Sequence, residues 1–146
     1  MGNFRNPSRA EIDAFLRRVH TIAVVGISAN SSRPSHGVAR SLQGFGYQVV
    51  PINPGFESVL GERCWPTLDA AVAGLGAGRS VDVVDVFRLP QFVPDIVNDC
   101  IRLKLPALWL QDGVIDEQSA ARAQAAGLFT VMDRCMYRDR AMLAAG

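Results

Sequence analysis

Short apolar runs rich in β-branched residues alternate along the chain with longer segments in which apolar residues recur every three or four positions. Runs of this length and composition are typical of strands that are buried on both faces of a sheet. They predict five strands, at residues 21–26, 48–54, 81–87, 107–110 and 128–132. Pro51 interrupts the second run and removes one backbone donor, so we expect it at the end of its strand or at a bulge.

The periodic segments predict one helix before the first strand and one helix between each pair of strands. Ser8 and Glu11 have the spacing of a capping box, which predicts a first helix over residues 8–19. The other helices are predicted between residues 36 and 46, 67 and 78, 90 and 101, and 116 and 127. Residues 55–66 fit neither pattern and are predicted to form an excursion from the core.

The alternation of strands and helices predicts the fold class. Such a chain forms a parallel sheet with right-handed crossovers and with helices on both faces, which is the doubly wound, three-layer α/β/α architecture. The length of 146 residues is that of one domain. We therefore expect a single domain over residues 1–146, with an N-terminal helix at about 8–19 and a core at about 21–138.

The charge of the chain is close to balanced, with 15 basic and 14 acidic residues and a net charge of +1. This balance excludes a broad basic surface for nucleic acid or for an anionic membrane, so any anion must be bound locally. No run approaches the ~20 apolar residues of a membrane span, and the first residues lack the apolar core of a signal peptide. We therefore expect a cytoplasmic protein.

Cysteine and histidine are sparse and widely spaced. The three cysteines, Cys64, Cys100 and Cys135, are an odd number without a CxxC pair. This pattern argues against a disulfide framework and favours a reducing compartment. The cysteines and the two histidines also lack the spacing of a metal site, so we expect no bound metal.

The loop after the first predicted strand, residues 26–37, has the composition of a phosphate site. Ligands of open α/β sheets bind beyond the carboxyl ends of the strands, and this loop runs from such an end into a helix. Gly26 lets a ligand approach the backbone, serine hydroxyls and backbone N–H groups can bind phosphate oxygens, and Arg33 adds a charge. Because Ser28 and Ser31 replace glycines, the loop is not the GxGxxG fingerprint, and it lacks the Gly-Lys of a P-loop. The alternative is an ordinary connection whose polar residues cap the helix.

The residues after the second strand disfavour a nicotinamide dinucleotide. Sites for these cofactors usually have Asp or Glu there to accept both ribose hydroxyls, whereas this chain has Asn53 and Pro54. Without the carboxylate, a ribose that carries a phosphate meets no repulsion. A simple turn is the alternative interpretation, because Asn-Pro-Gly is good turn chemistry.

Two further loops present groups that suit a ligand. Phe87 and Arg88 end the third strand, where they can stack on a base and pair with a phosphate. Alternatively, Phe87 belongs to the core and Arg88 pairs with a surface carboxylate. The fourth strand is followed by Gln111, Asp112 and Gly113, which form either a polar part of the site or a capped turn.

Titratable side chains offer few candidates for catalysis. Asp82 and Asp85 interrupt an apolar strand, and because a buried charge is costly without hydrogen bonds, we expect both to anchor the structure. His36 is expected to start a helix or to donate to a ligand, since no matched serine or cysteine stands beside it. Asp112 and Cys135 are the other candidates. No residue is assigned a catalytic role.

A set of motifs is spread over the chain from Thr21 to Arg138. The motifs are Val25-Gly26-Ile27-Ser28, Arg33-Pro34-Ser35-His36, Tyr47 with Val50-Pro51-Ile52-Asn53-Pro54, Leu60-Gly61-Glu62, Val84-Asp85-Val86-Phe87-Arg88, Trp109-Leu110-Gln111 and Met132-Asp133-Arg134-Cys135. Together they resemble the small bacterial CoA-binding proteins, relatives of the CoA-binding domain in the succinyl-CoA synthetase alpha subunit.

The resemblance implies a Rossmann-like fold with five parallel strands, in the order 3-2-1-4-5, that holds CoA across their carboxyl ends. It assigns the pyrophosphate to the first loop, at Gly26, Ile27, Ser28, Arg33, Pro34, Ser35 and His36. It places the nucleotide along Asn53 and Pro54 beside Phe87 and Arg88, and the pantetheine arm along Gln111 and Gly113. Asp112 departs from the small or uncharged residue expected there, and its carboxylate is expected to disfavour an anionic acyl group.

These inferences favour a non-catalytic protein whose ligand is CoA or an acyl-CoA. The first alternative is an acyl-CoA or thiol-transfer enzyme that uses Cys135 or His36, which steady turnover of a thioester would reveal. The second is an NAD-binding module, which Asn53 disfavours. Neither nucleic acid nor a membrane is an expected partner.

Overall fold

The computed structural model describes residues 3–76 and 78–143 of the chain. Both ends of the predicted domain, residues 1–2 and 144–146, and Ala77 in the glycine-rich stretch at 74–78 lie outside the described residues. The elements are α1 (Arg9–Arg18), β1 (Thr21–Val25), α2 (Pro34–Gly44), β2 (Gln48–Ile52), β3 (Ser58–Val59), β4 (Glu62–Arg63), α3 (Leu68–Gly74), β5 (Val83–Val86), a 3₁₀ turn (Pro90–Phe92), α4 (Val93–Arg102), β6 (Ala107–Leu110), α5 (Glu117–Ala125), β7 (Phe129–Val131) and α6 (Met136–Ala141). The five predicted strands are all present, with ends within two residues of the prediction.

Side-chain caps begin three of the helices where the sequence predicted them. The Ser8 hydroxyl accepts from the Glu11 N–H at 3.1 Å, and the Glu11 carboxylate accepts from the Ser8 N–H at 2.9 Å, which completes the capping box. Thr67 and Asp116 cap α3 and α5, each accepting a backbone N–H at 3.0 Å. Helix α2 differs, because it begins at Pro34 without a side-chain cap. The N–H groups of Arg33, His36 and Gly37 bond to backbone carbonyls and Pro34 has none, so the Ser35 N–H is the donor that this end of the helix leaves for another acceptor.

The main sheet is parallel, and its strand order is β2-β1-β5-β6-β7. The expected order 3-2-1-4-5 is therefore wrong, because the third core strand, β5, pairs with β1 and leaves β2 at the edge. Pro51 gives the physical reason. Its carbonyl accepts from the Trp65 N–H at 2.9 Å on the side away from β1, so its missing N–H also faces outward. In an interior strand the missing N–H would remove a hydrogen bond to the neighbouring strand, whereas at an edge no such bond is needed.

Helices cover both faces of the sheet, which confirms the doubly wound, three-layer architecture. On one face α3, α4 and α5 pack on a core that includes Val84, Val86 and Leu108. On the other face α1, α2 and α6 pack on a core that includes Ile22 and the fully buried Trp109. Among the described helices, none is long and apolar enough to cross a membrane.

Two elements were not predicted from the sequence, the β3–β4 hairpin at the edge of the sheet and helix α6 on the face that α1 and α2 cover. Residues 55–66 contain the small antiparallel hairpin β3–β4, and Trp65 then pairs with Ile52 along the outer side of β2. Helix α6 follows β7 and packs beside α1 and α2. At the opposite edge of the sheet, the side-chain amide of Asn6 exchanges two hydrogen bonds with the backbone of Met132, at 2.8 and 3.1 Å.

Candidate functional site

A groove lies beyond the carboxyl ends of β1 and β5, where the strand order reverses. It consists of two cavities that share the lining residues Gly26, Asn53, Phe87, Arg88 and Leu89. The α4-side cavity, of about 640 Å³, extends towards α3 and α4. The α2-side cavity, of about 800 Å³, extends towards α2 and the start of α6. Such a switch point is where open α/β sheets bind their ligands.

Eleven of the thirteen predicted site residues line this groove. They are Gly26, Ser28, Arg33, Pro34, Ser35, Asn53, Pro54, Phe87, Arg88, Gln111 and Gly113. The other two do not. Ile27 is fully buried in the core on the α2 face, and the half-buried His36 lines neither cavity. The structure therefore provides no position for these two side chains against a ligand in the groove.

Gly26 stands at the centre of the groove in a conformation that favours glycine. Its φ is +87°, and an added Cβ would lie 2.6 Å from the Phe87 carbonyl oxygen and 2.9 Å from Cδ of Arg88. The Gly26 N–H donates to the Ile52 carbonyl at 3.0 Å, which holds the turn to the end of β2. The lack of a side chain thus keeps the backbone open at the point where the two cavities meet.

The loop between β1 and α2 is organised by its own serines. The Ser35 hydroxyl oxygen accepts from the Ser28 N–H at 3.0 Å, and the Ser28 hydroxyl oxygen accepts from the Asn30 N–H at 3.0 Å. Both hydroxyls keep a hydrogen that can be donated to a ligand. The loop enters the uncapped first turn of α2, whose free Ser35 N–H and partial positive charge favour an anion.

Two arginines face the groove without an acidic partner. In the part of the chain that the structure describes, no carboxylate lies within ion-pair distance of Arg33 or Arg88. The guanidinium carbon of Arg88 lies 4.0 Å from the ring centre of Phe92, which holds the side chain over the groove. The alternative that Arg88 pairs with a surface carboxylate is therefore wrong. Phe87 both lines the groove and packs against the α2-side core.

Asn53 acts as a brace between the ends of β1 and β2. Its Nδ2 donates to the Ile27 carbonyl at 2.8 Å, and its Oδ1 accepts from the Gly55 N–H at 2.8 Å. The second bond confirms the simple turn considered for Asn-Pro-Gly. Both ends of the amide thus have a structural partner, and the site presents no carboxylate at this position.

The far wall of the α2-side cavity combines a buried amide with an exposed ion pair. Gln111 is 3% exposed, and its Oε1 accepts from the Met136 N–H at 3.1 Å. Asp112 forms a two-bond ion pair with Arg138, with both distances 2.9 Å. Arg138 places a positive charge beside the Asp112 carboxylate, which reduces the expected repulsion of an anionic acyl group. Cys135 is buried and completes this wall.

An ion-pair cluster fixes α6 behind this wall. The buried carboxylate of Asp139 accepts hydrogen bonds from Arg134, at 2.7 Å, and from Arg9 of α1, at 3.1 Å. Burial alone would raise the pKa of Asp139, but the hydrogen bonds from these two arginines hold it below its ordinary range. The start of α6, and Cys135 with it, is therefore held in one position.

The two acids of the third core strand differ in their environments. Asp82 accepts from the backbone N–H groups of His20 and Thr21 at 2.8 and 2.9 Å, which confirms that it anchors the structure. Asp85 is fully buried on β5, and neither carboxyl oxygen has a hydrogen-bond partner among the described residues. The anchoring role expected for Asp85 is therefore wrong. Burial raises the pKa of the Asp85 carboxyl well above its usual range, because a low-dielectric interior disfavours the charged form.

Acidic residues of α4 also line the groove, and the sequence analysis missed them. Asp95 and Asp99 lie one helical turn apart on the α4-side cavity, near Thr67 at the start of α3. Both acids lie on a helix rather than at the end of a strand, where ligand-binding residues were expected. The i, i+4 spacing of the two acids on one helix face was the available signal.

Comparisons with known proteins agree with these features. A family model described as a CoA binding domain matches residues 20–140. The uncharacterized protein YneT of Bacillus subtilis (strain 168) is 33% identical over 132 residues, which are 90% of this chain and 93% of that protein. A hypothetical protein of Pyrococcus horikoshii OT3, of known structure, is 31% identical with a TM-score of 0.84, covering 98% of this chain and 99% of that one. A Thermus thermophilus structure is 33% identical with a TM-score of 0.83, covering 94% and 100%.

The matched range includes all five core strands, the β1–α2 loop and both groove arginines. It confirms the resemblance inferred from the motifs, and the solved structures share the observed α/β fold. The chain therefore belongs to the CoA-binding domain family.

Proposed function

We propose that the protein binds CoA or an acyl-CoA in the groove without catalysing a reaction. The observation that carries this proposal is the pair of arginines, Arg33 and Arg88, that line the groove and form no ion pair with a described carboxylate. The described arginines that do pair with described acids are Arg9, Arg102, Arg134 and Arg138, and none of these four lines the groove. Two unpaired guanidinium groups beside an uncapped helix start suit a ligand that carries several phosphate oxygens.

The charges along the groove support one orientation of the ligand. Asp95 and Asp99 line the α4-side cavity and would repel a phosphate there, whereas Arg33 and the β1–α2 loop lie on the α2 side. The pyrophosphate therefore belongs at the loop between Gly26 and Ser35. The pantetheine arm then extends along Gln111 and Gly113.

The placement of the two candidate groups for chemistry supports a binding role. Cys135 lines the α2-side cavity, but His36 lines neither cavity and so is not positioned to activate Cys135 against a ligand. Steady turnover of acetyl-CoA by the purified protein, abolished in a Cys135→Ser variant, would instead establish the enzymatic alternative.

Free CoA is expected to raise the melting temperature of the protein, whereas NAD at the same concentration is not. A ligand that binds only the folded state adds about 2.7 kcal/mol to stability at 100 times its dissociation constant. Thermal unfolding and titration calorimetry measure the two effects independently. A response to NAD with none to millimolar CoA would refute the proposed function.

Arg33→Ala is expected to weaken CoA binding by about 1.5–3 kcal/mol, because phosphate oxygens lose a charge-assisted hydrogen bond. Arg40→Ala is the matched control, since Arg40 lies on α2 but lines neither cavity. Calorimetric titration at two salt concentrations compares both variants with the wild type. Unchanged affinity and salt dependence in Arg33→Ala would show that Arg33 does not contact phosphate.

A further inference from the structure

The three thiols of the chain differ in their access to the groove. Cys100 is fully buried on the core-facing side of α4, and burial, with a smaller effect of Asp99, raises its pKa to about 12. The Cys64 thiol donates to the Asn53 carbonyl at 3.4 Å, and burial raises its pKa as well. Neither residue lines the groove. Only Cys135 does so, in the α2-side cavity.

A buried amide beside Cys135 independently indicates that this part of the cavity holds a ligand. The Met136 N–H donates to Oε1 of Gln111, which fixes the orientation of that amide. The amide nitrogen, Nε2, is then the group that faces the cavity. Nε2 has no acceptor among the described residues, although Gln111 is only 3% exposed. Nε2 is not among the fully enclosed unpaired atoms of the described residues, so it is open to the cavity and can donate to an acceptor there, such as a carbonyl oxygen of a bound ligand.

From these observations we propose that Cys135 is a site of reversible covalent attachment, at which the thiol end of CoA is held as a mixed disulfide. The inference rests on the proposed function, because CoA must first occupy the groove. With its pyrophosphate at the β1–α2 loop, the pantetheine arm runs towards the wall formed by Gln111 and Cys135. An amide carbonyl of the arm accepts from Gln111 Nε2, and the sulfur ends beside Cys135.

The co-reactant is CoA disulfide, the oxidised dimer of CoA. The Cys135 thiol loses its proton to solvent, and the thiolate attacks one sulfur of the bound disulfide. A bond forms between the sulfur of Cys135 and that sulfur while the bond between the two CoA sulfurs breaks. The leaving CoA thiolate takes up a proton. One disulfide is exchanged for another, so no additional oxidant is consumed.

The experiment incubates the reduced full-length protein with CoA disulfide and follows its intact mass. We expect one adduct, equal to one CoA less two hydrogen atoms, that a reducing thiol removes and that peptide mapping locates at Cys135. Cys135→Ser should abolish the adduct, whereas Cys64→Ser should retain it. Because binding brings the reacting sulfurs together, the adduct should form at least about tenfold faster than with glutathione disulfide at equal concentration.

Calorimetry with reduced CoA separates this inference from the proposed function. If CoA binds but CoA disulfide reacts no faster than glutathione disulfide, or modifies Cys64 or Cys100 equally, the covalent site is refuted and the binding function stands. If CoA does not bind at all, both proposals fail. Saturating acetyl-CoA, whose sulfur is blocked, should slow the reaction with CoA disulfide, and an unchanged rate would also overturn the inference.

Discussion

Replacing Gly26 with alanine is expected to destabilise the protein by about 2–5 kcal/mol and to abolish detectable CoA binding. The left-handed φ of +87° costs about 1–2 kcal/mol for a residue with a Cβ. Overpacking against the Phe87 carbonyl and Arg88 costs about 1–3 kcal/mol more. Relieving the clash between the added Cβ and Arg88 displaces Arg88, one of the two arginines that line the groove without an ion pair, and this displacement is expected to weaken CoA binding. Chemical denaturation and calorimetric titration measure the two losses.

Gly37→Ala is the control for this substitution. Gly37 lies within α2, and nothing lies within 4 Å of an added Cβ. Alanine is a better helix former, so this variant is expected to gain about 0.5–1 kcal/mol. If both glycine variants were equally stable and bound CoA equally well, the backbone at Gly26 would be free to rearrange and would not define the groove.

Asp85→Asn is expected to stabilise the protein increasingly as the pH rises. The buried carboxyl of Asp85 has a pKa well above its ordinary value of 3.8, so folding takes up a proton at pH values between that ordinary value and the raised pKa. Wild-type stability therefore falls as the pH rises from that ordinary value towards the raised pKa, by up to about 1.4 kcal/mol per pH unit from this one group. Asparagine removes the proton uptake and keeps the shape of the side chain.

Urea unfolding of both proteins at pH 5, 6, 7 and 8 measures this difference. Asp82→Asn is the contrasting variant, because the Asp82 carboxylate accepts two backbone N–H groups and its loss should lower stability by about 1–2 kcal/mol. A constant difference between wild type and Asp85→Asn over the whole pH range would mean that Asp85 has the same protonation state when folded and unfolded.

The strands of the core were predictable because burial on both faces leaves a local mark, a short β-branched run. The order of the strands depends on pairing between distant segments, and alternation alone does not determine it. Pro51 nevertheless contained the decisive information. A residue without an N–H is tolerated where no neighbouring strand follows, which places β2 at the edge rather than between β1 and β5.

The groove was largely predictable because parallel strands bring all their carboxyl ends to one edge of the sheet. The errors arose where side-chain direction matters. Ile27 belongs to a motif of the loop, yet its side chain packs into the core. His36 follows Ser35 on α2, and successive helical residues are rotated by ~100°, which turns His36 away from the cavity that Ser35 lines. The unpartnered state of Asp85 depends on its three-dimensional surroundings and leaves no local signal.

The closure of both sheet edges restricts how this protein can associate with another molecule. At one edge, Pro51 has no N–H to donate on the outer side of β2. The backbone of Trp65 pairs there with the Pro51 carbonyl and the Asn53 N–H. At the other edge, β7 has only three residues, and the Asn6 side chain hydrogen-bonds to the backbone N–H and carbonyl of Met132, the residue after β7. Short or covered edges are poor templates for intermolecular strand addition. Self-association should therefore involve helical faces or loops, and the fold is protected against the edge-to-edge pairing that leads to β-aggregation.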